Sequence, residues 1–571
     1  MAIKLIDNLA NSHLELKLRP PEQVMRLERM GAAFPTRISF LRSLLRRMHR
    51  ESWEFDCPVF DLDMHGYGVA VYSVHCPHRA YSLVAIANAL EDDQRTDRVI
   101  AEAWDASFVL FDGIPSKQDL DRIALCAPMQ EAARFEDSEL ILSRANRSLR
   151  LFDYVSESLA AGVQPEIDQI KDVGYLMRTT AVYGNGKFGI GDRETISDRP
   201  ELSGPFQAEM LTVYLIRWFT FDQVEHVARS RAPDRAVPLR RELKRFLGIG
   251  NATGLGMAPF LVTHPELVHR WVSARETALA RVRQVAYATP ESIDRFKVLL
   301  TRCAQHLSEW WVEDKVQQVN ILENRAGIAK VKDWTLSLDS PLPGLYPWDS
   351  LYLKSEEGLP IETQEILVSI LIELYPNLVD ELEAELSIKG RVSLNARQGL
   401  KELTSIIEIN FGWALEIDFE LPENQQYFWY VSANKLEPRY GDRYLDVGSE
   451  HEIPLGIGRE IKALYECLVT STEVNSLAEF LLSYPEHRYA VRRAQLSNQY
   501  GYGEIRDNLI GENCIPLHLL RYKLAFFGAA KFDPKSTLWT RITLFQGAPL
   551  PDELDNSEID YWGFATVPHH D

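Results

Sequence analysis

The stretch QAEMLTVYLIRWFTFDQVEHVAR, Gln207 to Arg229, decides the architecture. Its apolar side chains keep helical spacing, and in the first half they cover nearly the whole circumference. A helix without a polar face belongs at the centre of a protein, not on its surface. The odd residue is Arg217, set between Leu215-Ile216 and Trp218-Phe219. A buried guanidinium needs an anion, from the protein itself or from a ligand. Further along, Asp222 and His226 are four residues apart, as are Glu225 and Arg229. A carboxylate one turn from a histidine can orient the ring and raise its pKa, so His226 is a candidate proton carrier.

On either side of this helix the patterns change. Residues 20–50 read as helix, with arginines 37, 42, 46, 47 and 50 on much of its remaining surface. That face is expected to be solvated or salt-bridged; a docking surface for an acidic partner or a second subunit is the sharper alternative. Residues 52–155 look α/β, with a hairpin around Gly66 and Gly68, a helix over 81–90, a buried strand within 99–113 and a helix over 117–127. Residues 139–154 fit helix and strand equally. The proline-rich run 334–347 reads as a boundary. Beyond it, helices alternate with an aromatic strand near 425–433 and a late strand over 538–545. The expected fold is α+β, multidomain and helix-rich: an N-terminal α/β domain at 1–175, a central helical domain with glycine-rich loops at 176–335, and a C-terminal α+β domain at 336–571.

Composition narrows the function classes. At 46% hydrophobic residues over 571 positions there is ample material for buried cores, and long disordered regions are not expected. The formal net charge of −20 repels nucleic-acid backbones and anionic membranes, so neither is an expected partner. The six cysteines are scattered without a CxxC pair, which fits free thiols in a reducing cytoplasm. The N-terminus shows no apolar leader, and no apolar run approaches the roughly 20 residues of a membrane span. Self-association into a homo-oligomer stays open.

Two glycine-rich segments carry the functional expectation. The first runs from Arg229 to Gly256, with basic residues 229, 231, 235, 240, 241, 244 and 245 leading into G-x-G-x-x-x-G-x-G at 248–256. Glycines let backbone N–H groups face a ligand, and arginines supply charge to an anion. The third glycine falls one place late for a dinucleotide fingerprint, and a basic helix precedes it, so a Rossmann site is rejected. Arg245, Gly250, Asn251, Thr253 and Gly254 are the candidate binders here. The plain alternative is close packing. The second segment, Arg178 to Arg193, holds Tyr183, Asn185 and Lys187 among glycines. It is not a P-loop, because Phe188 follows the lysine. Lys187 with a depressed pKa could move protons, Tyr183 could steady an oxyanion, and Arg178 and Asn185 could bind. Asn185-Gly186 equally signals an exposed hairpin turn.

Other groupings are weaker. His65, His75 and His78 would be separated by a hairpin, so no metal is expected. Arg144, Arg147 and Arg150 would make one strip on a helix and split between faces on a strand. Asn434 to Arg443 reads as a charged turn. With no cofactor motif visible, the expectation is an enzyme acting on a small anionic metabolite by general acid–base chemistry. Lys187, Tyr183 and His226 would be catalytic; Arg178, Asn185, Arg217, Arg245, Gly250, Asn251, Thr253 and Gly254 would bind substrate. Lyase, isomerase and hydrolase chemistry are not distinguished. The alternative is a non-catalytic helical scaffold or ligand sensor.

Overall fold

The computed structural model describes residues 17–32, 34–91, 93–95, 103–128, 136–181, 196, 198–253, 265–335, 344–386, 393–421, 427–430, 438–441, 457–471, 476–505, 516–529, 531–534, 540–554 and 563–568. The fold is α+β and helix-rich. Its organising element is the central helix, Gln207–Arg231, with eighteen of 25 residues buried. This is the helix expected from its unbroken apolar surface.

A nine-stranded sheet wraps this helix. In chain order its strands are β1 (Glu54–Leu62), β2 (Gly68–His75), β3 (Ala80–Ala87), β4 (Ala106–Asp112), β5 (Glu139–Arg147), β6 (Tyr175–Thr179) and β7 (Gly248–Thr253). A separate hairpin, β8 (Tyr427–Tyr430) with β9 (Pro438–Gly441), stands outside it, and β10 (Lys531–Pro534) and β11 (Thr540–Leu544) complete it. The spatial order is β1-β2-β3-β4-β5-β6-β7-β11-β10. Every neighbouring pair is antiparallel except β6 and β7, which are parallel. The sheet curls. Tyr214 on the central helix has Phe55 of β1 at 6.0 Å between ring centroids and Phe545, just past β11, at 5.2 Å. An edge strand, β1, and the end of β11, next to the other edge, therefore meet on one residue of one helix.

Burial explains the elements. Tyr72, Leu83, Phe108 and Ile249 face the central helix, while Val71, Val84 and Val109 pack outward against Ile123 of the helix Lys117–Cys126. That helix starts with a Ser116–Asp119 capping box. The expected helix over 81–90 is instead strand β3. A strand buried on both faces reads as a continuous apolar run, which periodicity alone does not separate from a helix. The ambiguous stretch 139–154 divides into β5 and a helix, Phe152–Ala160. Arg144 and Arg147 therefore lie on a strand, and Arg147 stacks on Phe152 at 4.3 Å.

The sheet crosses both expected domain boundaries. β6 straddles residue 175, and β10 and β11 come from the last stretch to pair beside β7. One continuous core joins all three stretches. Against it lie the helices Pro265–Arg283, Pro290–Glu309, Lys315–Thr335, Pro347–Gly358 and Ile361–Ile372. Among the described residues no helix is long and apolar enough to cross a membrane. Cys57, Cys76, Cys126, Cys303 and Cys467 form no disulfide.

The first glycine-rich segment is a strand through residue 253, not a loop. A Cβ on Gly248 would stand 2.2 Å from the Leu544 carbonyl oxygen, and one on Gly250 would stand 2.7 Å from the Tyr175 ring. These two glycines let chains approach closely, as the packing alternative required. Gly250→Ala should therefore lower unfolding free energy by about 1–3 kcal/mol in urea titration. The same change in a Tyr175→Ala background should cost clearly less, because the obstructing ring is gone. Equal costs in both backgrounds would refute the steric account.

Candidate functional site

β6, the central helix and β7 form a β-α-β unit, the one place in the described sheet where two strands finish side by side. Arg178 of β6 lies opposite Gly250 of β7 and Asn146 of β5. Its side chain is buried. Asn251, 1% exposed, donates from Nδ2 to the Thr179 carbonyl at 2.9 Å, while its Oδ1 has no partner. Thr253 pairs through its backbone with Thr540. Arg178, Gly250, Asn251 and Thr253 are thus gathered on adjacent strands. Tyr183, Asn185, Lys187 and Gly254 lie outside the described residues, as do residues 434–437, 442 and 443.

The basic approach to β7 finds its anions within the chain. Arg241 binds Glu553 at 2.5 Å and Asp552 at 2.9 Å. Arg245, the expected substrate binder, lies 3.6 Å from Glu553, and Lys244 bonds Glu225 at 2.6 Å. The acidic turn Pro551–Glu553 occupies the position expected for a bound anion. Arg217 also departs from expectation. It is 1% exposed, and its hydrogen bonds among the described residues go to backbone carbonyls, not to a carboxylate. Its guanidinium donates to the carbonyls of Leu247 (2.8 Å), Lys244 (2.8 Å), Arg245 (3.0 Å), Ala548 (3.1 Å) and Pro549 (3.3 Å). These include the Lys244 and Arg245 carbonyls in the last turn of the short helix Arg241–Phe246, where carbonyls lack intrahelical donors; the Arg245 carbonyl also accepts from the Gly547 N–H. Burial lowers the Arg217 pKa to about 10. Carbonyl dipoles, not a substrate, satisfy this arginine.

His226 sits at the other end of the central helix. Its Nε2 is 2.8 Å from the Asp63 carbonyl oxygen, and its ring meets Phe60 edge-on. Asp222 does not orient it: that carboxylate accepts from Tyr72 Oη at 2.8 Å. Glu225, expected to hold Arg229, instead holds Lys244 and accepts from the Leu239 N–H. Helical spacing made both pairs plausible, but packed neighbours outcompeted them. His65 lies in the β1–β2 turn and His75 at the far end of β2, so the hairpin separates them. His75 meets Asp56 at 3.2 Å. Among the described residues no group of three or more His, Cys, Asp or Glu is placed to hold a metal.

The arginine helix, Phe40–Arg50, finds its acidic partner inside the molecule. Arg37, just ahead of it, grips Asp380 through Nε at 2.8 Å, and Arg42 grips Glu373 at 2.5 Å. Arg46 reaches Glu383 at 3.4 Å. Deeper, Glu365 is fully buried among Arg19, Arg29 and Arg275, at 2.7, 2.5 and 2.5 Å, and these hold its carboxyl far below the usual range despite burial.

A cleft of about 430 Å³ opens between the arginine helix, the start of the central helix and the acidic 3-10 helix Asp380–Leu386. Arg47 and Arg50 line it with Ser203, Gly204 and Gln207, and Asp380, Glu381 and Glu383 line it from the 3-10 helix. It lies at the end of the sheet where β6 finishes. Just ahead of the central helix, Glu201 accepts from Tyr81 Oη at the start of β3, and Arg199 grips Asp112 at the end of β4 at 2.6 Å. Both strand ends pair along to the start of β5, on the side of the β6 carboxyl end. Phe206, the N-cap, has φ 56° and contributes no side-chain cap. The first N–H groups of a long helix thus approach the cleft with their partial positive charge. Composition gave no signal for this cleft, since its walls come from residues 40–50, 203–207 and 380–386. No family model, curated protein or solved structure matches the chain.

Two measurements test these assignments. Arg217→Met should destabilise the protein by about 3 kcal/mol in urea titration, because several buried carbonyls lose their donor. Arg217→Lys should recover little, since an ammonium cannot fork between them. A loss below about 1 kcal/mol for the Met variant would mean that other donors serve those carbonyls. Asp222 gives a pH signature. Burial raises its pKa from 3.8 to about 6. Its neutral form is thus favoured in the folded state, and that stabilisation is lost as pH rises through about 6. Asp222→Asn should gain melting temperature over the wild type between pH 4 and 7; a flat difference would refute the assignment.

Proposed function

We propose that the protein is an enzyme acting on a small anionic organic metabolite, held in the cleft ahead of the central helix. The observation that carries this reading is the meeting of three things in one cleft: a 25-residue helix N-terminus, Arg47 with Arg50, and the sheet end where β6 finishes. Ligands of β-α-β units commonly sit where a strand ends and its helix begins, because free N–H groups and the helix dipole favour anions there. Arg50 is 57% exposed on its side chain, with only a 3.9 Å approach to Glu51. It is the side chain best placed to meet an incoming charge.

The chemistry is assigned to Tyr183 and Lys187, as proton donor and proton carrier. In the sequence they come between β6 and Glu201. His226, Arg217 and Arg245 leave the assignment, because their bonding groups meet partners elsewhere in the fold. Arg178 and Asn251 are retained as binding residues at the strand ends, together with the backbone of Gly250 and Thr253. Asn185 and Gly254 stay with them on sequence grounds. Lyase, isomerase and hydrolase outcomes fit equally. No cofactor is invoked, and the cytoplasm is the proposed location.

A non-catalytic scaffold or ligand sensor is the second reading. It is favoured by one observation: the basic approach to β7 is neutralised by Asp552, Glu553 and Glu225, so those cations serve the fold. A thermal-shift screen of small carboxylates and phosphates separates the readings. An anion that raises the melting temperature by mass action should bind at least tenfold more weakly to Arg50→Ala, and more weakly with added salt. NMR of that anion incubated with the protein should show conversion that Lys187→Ala abolishes while binding persists. Binding without conversion would favour the sensor, and no stabilising anion at all would favour the scaffold.

A further inference from the structure

Two buried oxygens on the basic wall of the cleft bond nothing within the chain. Phe40, Ser43, Arg47 and Arg50 share one face of the arginine helix and line the cleft together. Ser43 is 1% exposed, and Gln207, the first residue of the central helix, 4%. Neither Ser43 Oγ nor Gln207 Oε1 has a hydrogen-bond partner, so they do not bond each other either. Buried polar atoms in native proteins are almost always paired, and orphans beside a cavity point to a partner that enters it.

The two orphans have different requirements. Hydroxyls on helices often bond back to a carbonyl one turn earlier, as Thr212 does to Ala208 at 2.8 Å and Thr220 to Ile216 at 2.7 Å. Ser43 does not, so its O–H is open to an acceptor. Gln207 Nε2 donates to the Phe40 carbonyl at 3.3 Å, which fixes the amide nitrogen toward the arginine helix. Phe40 and Ser43 are neighbours on that helix face, so the amide lies beside Ser43. Its other end, Oε1, accepts and needs a donor. Ser203 does not supply one, because its hydroxyl already donates to the Pro200 carbonyl at 2.9 Å.

The sign of this wall decides which donor fits. Arg47 is held by Glu51 at 3.0 Å and by the Glu201 carbonyl at 3.1 Å, and Arg50 stands beyond it at the mouth. Beside two guanidiniums and a helix N-terminus an ammonium would be repelled, whereas a neutral hydroxyl would not. The opposite wall does not call for a cation: Asp380 is held by Arg37, Glu383 by Arg46 and Glu381 by Arg281.

We infer that the cleft binds a small 2-hydroxy carboxylate. Its carboxylate lies toward Arg50 and accepts from the Ser43 hydroxyl, and its own hydroxyl donates to Gln207 Oε1. The two groups sit on adjacent carbons because Ser43 and the Gln207 amide are adjacent in the wall. This rests on the cleft being the anion site proposed above and adds the neutral group carried beside the charge. The volume of about 430 Å³ is in the range of small-molecule pockets.

Calorimetry on the full chain with two ligand series isolates the hydroxyl: lactate, propionate and alanine, then malate, succinate and aspartate, with both hands of each chiral acid. In at least one series one hand of the hydroxy acid should bind about tenfold more tightly than the acid lacking the hydroxyl, the worth of one hydrogen bond, and more tightly than the amino acid. Gln207→Met should erase that advantage and leave the plain acid's affinity unchanged. Ser43→Ala and Arg50→Ala should weaken both acids alike. Without ligand, Ser43→Ala should melt no lower than the wild type, because its hydroxyl bonds nothing in the chain; a purely structural serine would lose stability. Equal affinity within both series means that water serves these oxygens; it overturns the hydroxy acid and leaves an anion site standing. Preference for the amino acid overturns it too, as does a hydroxyl advantage that survives Gln207→Met. Should Gln207→Met fail to fold, Ser43→Ala decides, and an unchanged affinity for the hydroxy acid overturns the placement. If no acid of either series binds, the hydroxy acid is lost, and the wider anion screen alone judges the cleft.

Discussion

A helix with almost no polar face must be enclosed, and the rest of the molecule is arranged to enclose Gln207–Arg231. Nine strands cannot stay flat and still cover a cylinder, so the sheet curls until Phe55 and Phe545 meet on Tyr214. Enclosure then creates a polar problem at mid-helix, where Arg217 has no route to solvent. Its planar fork reaches carbonyls of two chain segments far apart in sequence, 244–247 and 548–549. A single cation ties the helix to the approach of β7 and to the segment after β11.

The helical layer solves a similar problem with full charges. Removing a carboxylate such as Glu365 from water is costly, and three arginines around it offset that cost. Two of these, Arg19 and Arg29, come from the start of the described chain and the third from the helix Pro265–Arg283. Losing one partner would leave a buried charge uncompensated, so the cluster fixes where the N-terminal segment docks more than it adds net stability. The same logic extends outward through Arg37, Arg42 and Arg46 to the 3-10 helix that forms the acidic wall of the cleft.

The sequence disclosed what depends on local pattern. The central helix, the β1–β2 hairpin, the capped helix after Ser116 and the late strand β11 all follow from spacing within a dozen or so residues. It hid what depends on partners distant in the chain. β3 looked helical because both its faces are apolar, and only its neighbours β2 and β4 make it a strand. Gly248 and Gly250 looked like a ligand loop because Tyr175 and Leu544, which they accommodate, lie far away in sequence. The basic run before β7 looked unpaired because Glu553 follows some three hundred residues later. The cleft was invisible for the same reason: each wall reads alone as an ordinary charged surface.

That long-range pairing bears on synthesis. β7, at residues 248–253, has β11, at residues 540–544, as its neighbour on one side. A ribosome adding ~5–20 residues per second leaves that edge of β7 without its partner for roughly 15–60 s after β7 emerges. Until then that edge of β7 lacks the strand that completes its hydrogen bonds, and unpaired strand edges are the kind that template aggregation. The wait is set by gene order alone, so chaperone demand during translation is written into the topology of the sheet.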